Sequence, residues 1–90
     1  METEQFKRIF VPLNASLYRV AFHYLAAEDE ARDVVQDVYV KLWNQRNNLD
    51  TVASPEAYAL RIAANMSIDC LRRKSRVTFE NVEQVSETLI

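Results

Sequence analysis

The chain has 90 residues, 49% of them hydrophobic and 27% charged, with no glycine, two prolines and a formal net charge of -2 at pH 7. That length makes one small domain, and average usage of about 7% glycine would supply several here. Their absence excludes Gly-rich phosphate loops and dinucleotide-binding turns and removes the usual residue of positive-φ hairpins, so the expected class is all-α, a small bundle of three main helices.

In the first segment Phe6, Ile9, Phe10, Leu13, Leu17, Val20 and Tyr24 recur at steps of three and four, which predicts a helix over roughly Glu4 to Leu25. Pro12 lacks an amide hydrogen and crowds the carbonyl four residues back, so a kink or a split is expected there. Asn14 or Ser16 is placed to cap a restarted second half. The second helix is expected from Glu28 to about Gln45. Its acidic start, Glu28-Asp29-Glu30, suits the positive end of the helix dipole, and Ala31, Val34, Val35, Val38 and Leu42 form its apolar stripe. Tyr39 and Trp43 sit at the border of that stripe and read first as core rings.

Between Arg46 and Ser54 the turn formers Asn47, Asn48 and Asp50 and the lack of a helical period predict a loop. Ser54-Pro55-Glu56 then opens a third helix: the serine hydroxyl can take an unpaired amide, proline fits the first helical position, and glutamate favours the dipole. Ala57, Leu60, Ala64, Ile68 and Leu71 carry the stripe, and the helix is expected to reach Arg76. Residues 77–90 lose clear amphipathic order and read as a linker or fraying tail.

Cys70 and His23 stand alone, one cysteine and one histidine. No internal disulfide can form and too few ligands remain for a structural zinc, so no metal or cofactor is expected and a reducing cytoplasm fits best. Nor is there a nucleophile and base at usable spacing, so the protein is not expected to be an enzyme. His23, near the end of the first helix, reads as a surface or capping residue and Cys70 as a packed one. No apolar run approaches the roughly 20 residues that span a bilayer, and METEQFKRIF lacks a signal peptide's order.

Charge is unevenly spread. Residues 28–50 are net acidic, whereas 61–76 hold Arg61, Arg72, Arg73, Lys74 and Arg76 against Asp69 alone, which suggests two faces with different partners. Along the third helix Tyr58, Arg61, Ile62, Asn65, Asp69 and Arg72 fall at steps of three and four. A ring to stack on a base, an amide to read its edge and guanidinium groups to hold phosphates suit single-stranded nucleic acid. An amphipathic helix with a solvated basic end, favoured by its own dipole, is the plainer reading.

Taken together, EDEARDVVQDVYVKLWNQRNNLD and, after a short gap, SPEAYALRIAANMSIDCLRRKSR closely resemble region 2 of bacterial extracytoplasmic-function (ECF) sigma factors, the small alternative sigma subunits of RNA polymerase. The resemblance covers about residues 5 to 76 and rests on D-V-V-Q-D-V-Y at 33–39, L-W at 42–43, R-I-A-A-N at 61–65 and D-C-L-R-R at 69–73, in the family's order and spacing. It implies that the second helix docks on the β′ clamp helices of core polymerase through Asp33, Gln36, Asp37 and Lys41. It also implies that the third helix and the preceding loop capture the minus-ten promoter element as a single strand with a base flipped out, a cost of a few kcal/mol that a pocket and stacking surface can offset. Asn48 to Ser54 match that loop; Arg61, Asn65 and Asp69 match the reading helix; Arg72, Arg73, Lys74 and Arg76 match backbone-holding positions. An anti-sigma factor is a further partner of such proteins.

Three departures stand out. Ala26-Ala27 occupy the place where the family often has Gly-Asp, which removes a good cap from the second helix. Tyr58 stands where Trp is common and Leu60 where an aromatic is common, leaving open which ring meets DNA. Residues 1–76 match region 2 and 77–90 the start of the linker that in the family leads to region 4, the helix-turn-helix that reads the minus-thirty-five element; the chain stops before region 4, so an excised domain is expected. Two function classes remain: a polymerase-docking, promoter-reading module with an acidic surface on the second helix opposed to a basic one on the third, and a helical interaction module that binds polymerase or an anti-sigma factor without reading DNA.

Overall fold

The computed structural model describes the backbone of residues 1–89 and the side chains of residues 1–75. Four α-helices follow one another: α1 (Thr3–Phe10), α2 (Asn14–Leu25), α3 (Glu28–Asn44) and α4 (Pro55–Leu89), with 3₁₀ turns at Val11–Leu13 and Arg46–Thr51. The bundle is all-α, and its first predicted helix is split at Pro12 into α1 and α2. Proline cannot donate to the carbonyl four residues back. The chain therefore tightens into a 3₁₀ turn, and the Asn14 amide bonds to Val11 instead of Phe10. Neither Asn14 nor Ser16 caps α2. Its N-cap position is Leu13, already helical and with no side-chain bond, because the turn feeds the helix directly; the Ser16 hydroxyl instead takes a hydrogen bond from Arg19 at 3.3 Å.

Helix α2 ends at Ala26, whose amide bonds to the Phe22 carbonyl at 2.8 Å and whose backbone is left-handed, at φ 52° and ψ 24°. That conformation presses Cβ against the carbonyl and is normally left to glycine. Ala27 then turns extended and starts α3 with no side-chain cap. The acidic first turn and an i,i+4 pair between Arg32 and Glu28 compensate in part.

The core forms where α2, α3 and α4 meet. Phe10, Leu17, Val38 and Leu42 are fully buried, and Phe6, Ala31, Val34 and Val35 complete the inner faces of α1 and α3. Tyr39 and Trp43 are half-buried against this core, as rings at a stripe border should be. Trp43 meets Phe6 edge-on at 5.1 Å between centroids, and Phe6 lies 4.8 Å from Phe10, so an aromatic chain ties α1 to α3. On α4 the inward residues are small: Ala59 and Ala63 are fully buried with Ser67, which lets the helix lie close on its neighbours. The Ser67 hydroxyl donates to the Ala63 carbonyl at 2.7 Å, the usual refuge of a buried serine within a helix.

The segment after α3 is not an irregular loop throughout. Leu49, 2% exposed, pulls residues 46–51 onto the core, and the short polar residues around it close 3₁₀ turns, with Asn48 bonded to the Gln45 carbonyl at 2.8 Å. At the start of α4 the expected cap is present: the Ser54 hydroxyl accepts the Ala57 amide at 3.3 Å and the Ser54 carbonyl accepts the Tyr58 amide at 3.0 Å. The backbone of α4 stays helical to Leu89, past the expected end at Arg76, in keeping with a stretch that has neither Gly nor Pro to stop it. The side chains of residues 76–90, the segment expected from 77 onward to be a linker or fraying tail, lie outside the described residues.

Candidate functional site

Helix α4 builds the site's backbone. At 100° per residue, Arg61, Asn65, Asp69 and Arg72 follow one another along one side, and all four are exposed. Arg72 and Asp69 approach to 3.9 Å across one turn, an exposed pair that costs little to open. The rest of the predicted ridge departs from this line. Ile62 turns inward and is 6% exposed. Tyr58 is half-buried, and its hydroxyl donates to Gln45 Oε1 at 2.7 Å, which pins the ring between the start of α4 and the end of α3. Ser54 is exposed, with its hydroxyl engaged as the α4 cap. Asn48 is exposed on the 3₁₀ turn, and its carbonyl accepts the Thr51 hydroxyl at 3.0 Å.

At the basic end, the three described cations diverge. Arg72 stays on the open ridge, Arg73 lines a cleft against α3, and Lys74 reaches across to pair with Glu30 of α3. The Arg76 side chain lies outside the described residues.

On α3, Asp33, Gln36, Asp37 and Lys41 are all exposed on the side away from the apolar stripe. The expectation of opposed surfaces needs correction here. Asp33 and Asp37 share one cleft of about 340 Å³ with Asp69 and Arg73 of α4, floored by Val34 and Met66. The cause is angular: Asp69 and Arg73 lie on the edge of α4 that turns toward α3, so the acidic row of one helix faces the flank of the exposed ridge on the other. With Glu30 at its rim the cleft holds four carboxylates against Arg73 and the paired Lys74.

A second depression, about 640 Å³ and mainly apolar, opens between α1 and α3 over Phe6, Val11, Tyr39 and Trp43, with Lys7 at its edge. Arg46 lies over the Trp43 ring, 4.2 Å from its centroid, and donates to the Trp43 carbonyl at 3.0 Å. The Tyr39 hydroxyl donates to the Phe10 carbonyl at 3.0 Å, and burial pushes its phenol above the usual range. Sequence reasoning missed Gln45, Glu30 and Arg46 as partners of Tyr58, Lys74 and Trp43. Only Arg46, three residues after Trp43, carried a local signal. His23 is exposed and Cys70 half-buried against the core. Among the described residues no cluster of three or more His, Cys, Asp or Glu side chains is placed to hold a metal ion, and no helix is long and apolar enough to cross a membrane.

Known proteins agree with the motifs. Over 74 residues the chain is 23% identical to the ECF RNA polymerase sigma factor SigX of Bacillus subtilis (strain 168), an alignment covering 82% of this chain and 38% of that protein. The chain thus spans less than half the length of the curated relative it matches. No solved structure matches it significantly. Residues 12–77, from the proline that splits the first helix to just past the basic run, match the family described as Sigma-70 region 2, and the chain belongs to that family.

Proposed function

We propose that this domain serves transcription initiation, docking on core RNA polymerase through α3 and holding the unpaired minus-ten strand of promoter DNA along α4. The observation that carries the reading is the exposed line of Arg61, Asn65, Asp69 and Arg72. It offers an amide of the right kind for a base edge, flanked by guanidinium groups for phosphates and backed by a rigid buried face. Asn48, at the turn beside the start of α4, bounds the strand at one end. Arg72, on the open ridge, holds phosphate at the other, and Arg73, Lys74 and Arg76 beyond it add positive charge to that end. Tyr58, with its hydroxyl fixed on Gln45, presents a ring face held in place in advance, and Ser54 acts by setting the start of α4.

Docking belongs to Asp33, Gln36, Asp37 and Lys41 on α3, whose carboxylates suit basic side chains on the β′ clamp helices. An anti-sigma factor that covers these residues or the ridge would silence the domain, and no step here is catalytic. The exposed Val40, at 59%, favours protein contact as well and keeps the second reading in play, a helical interaction module that binds polymerase or an anti-sigma factor without reading DNA. Titration of a fluorescent minus-ten single strand separates the two. The promoter-reading domain loses base preference on Asn65→Ala while keeping most of its salt-dependent affinity; the interaction module is indifferent to the change.

A further inference from the structure

The flank of α4 opposite the acidic cleft forms a groove of different chemistry. Between α2 and α4, Arg19, Val20, His23, Tyr24, Leu60 and Ala64 border an open groove of about 380 Å³. None of these six residues is acidic, and α2 carries no Asp or Glu along its whole length, although the chain has 13. Arg19 makes no ion pair among the described residues; its guanidinium donates a hydrogen bond to the Ser16 hydroxyl. His23 stands edge-on to Tyr24, with ring centroids 5.1 Å apart, so two planar rings are set at one wall beside the exposed Arg19 cation.

Position adds to composition. Leu60 and Ala64 form the groove's α4 wall, and the next residue after each is Arg61 and Asn65, the core of the exposed ridge. A strand lying on that ridge can therefore drop a neighbouring nucleotide over the edge into the groove without leaving the surface. On the other flank, four carboxylates line the cleft and repel a phosphate.

We propose that the α2–α4 groove is a second seat for unpaired DNA, taking one nucleotide of the strand held on the ridge, its base against His23 and Tyr24 and its phosphate against Arg19. The inference rests on the proposed strand-holding function and adds α2 to the DNA surface. Stacking and phosphate contacts supply the affinity, so little base selectivity is expected at this seat.

Photo-crosslinking tests it directly. Single strands of minus-ten length and longer, each with one 5-iododeoxyuridine moved stepwise along them, are irradiated with the full 90-residue chain. Trypsin separates the α2 peptide Val20–Arg32, which holds both rings, from the peptides of α4. The proposal expects one register of label to crosslink to the α2 peptide. It also expects Arg19→Glu and His23→Ala, both at exposed positions, each to weaken strand binding about fivefold or more. Crosslinks confined to α4, with binding that responds to Asn65→Ala but not to Arg19→Glu, overturn the groove and leave the ridge standing. A chain that captures no strand at any register overturns both. Crosslinks to the peptide with the α2 rings, Val20–Arg32 or, where Arg19→Glu removes the cut, residues 9–32, that persist at full yield in both variants also contradict the seat.

Discussion

The phenol of Tyr39, in the second half of α3, donates to the carbonyl of Phe10 at 3.0 Å, at the point where Pro12 breaks the first helix. The break has diverted the Asn14 amide to Val11, leaving the Phe10 carbonyl room for a second donor from another helix. One bond thus joins the proline split to the helix that carries the proposed docking residues. Tyr39→Phe should cost about 1 kcal/mol of unfolding free energy, the net worth of a partly buried hydrogen bond. It also carries a pH signature. Burial raises the phenol's pKa in the folded state, so the stability it lends is whole below the unfolded value near 10 and is lost as pH climbs through the folded one. Urea melts from pH 8 upward should show an alkaline loss in the wild type that is smaller in Tyr39→Phe.

Ala26 and Ala27 mark a strained joint between α2 and α3. A left-handed alanine followed by an uncapped helix start departs from local preference twice in two residues. Ala26→Gly should stabilise the fold by about 0.5–1 kcal/mol, the relieved strain exceeding glycine's added unfolded-state entropy. Ala27→Asp should add about 1 kcal/mol by capping α3. Chemical denaturation reads both, and the gains should be unequal at high salt, where the aspartate loses its dipole contribution first.

Ser54 closes the segment proposed to bound the DNA strand, yet its hydroxyl is spent on the Ala57 amide. Ser54→Ala should cost about 1 kcal/mol, and Ser54→Asn should recover most of it. Strand binding should follow helix stability in this pair, falling in the alanine variant and returning in the asparagine one.

The basic end divides by geometry. Arg72 lies on the open ridge, whereas Lys74 is held by Glu30 across the α3–α4 gap. Removing Arg72 should therefore weaken strand binding more than removing Lys74 and should lower the salt slope by about one counterion. Lys74→Ala should instead cost up to about 1 kcal/mol of stability, an effect that fades in salt because the pair is partly exposed.

Much of the fold was legible in the sequence because its signals are local. Pro12 announces a break, Ser54-Pro55-Glu56 a helix start, and the stripe from Ala31 to Leu42 a buried face; each depends on residues within a few positions. The 3₁₀ turns at 46–51 escaped because Leu49 is buried by distant partners while its neighbours look like loop. The site was legible only along single helices. Steps of three and four placed Arg61, Asn65, Asp69 and Arg72 on one ridge, but whether Asp33 and Asp37 face that ridge or oppose it depends on how α3 and α4 cross. The same crossing joins Lys74 to Glu30, 44 residues apart, and the turn after α3 brings Gln45 to Tyr58. No periodicity within one helix carries such information.

The most direct measurement is the affinity of this chain for core RNA polymerase, wild type against Asp37→Arg, with circular dichroism confirming that the exposed substitution leaves the fold intact. Docking through the carboxylates of α3 predicts saturable binding to core that falls at least tenfold in the variant. Binding of undiminished strength with Asp37→Arg, or no binding by the wild type, would contradict the account.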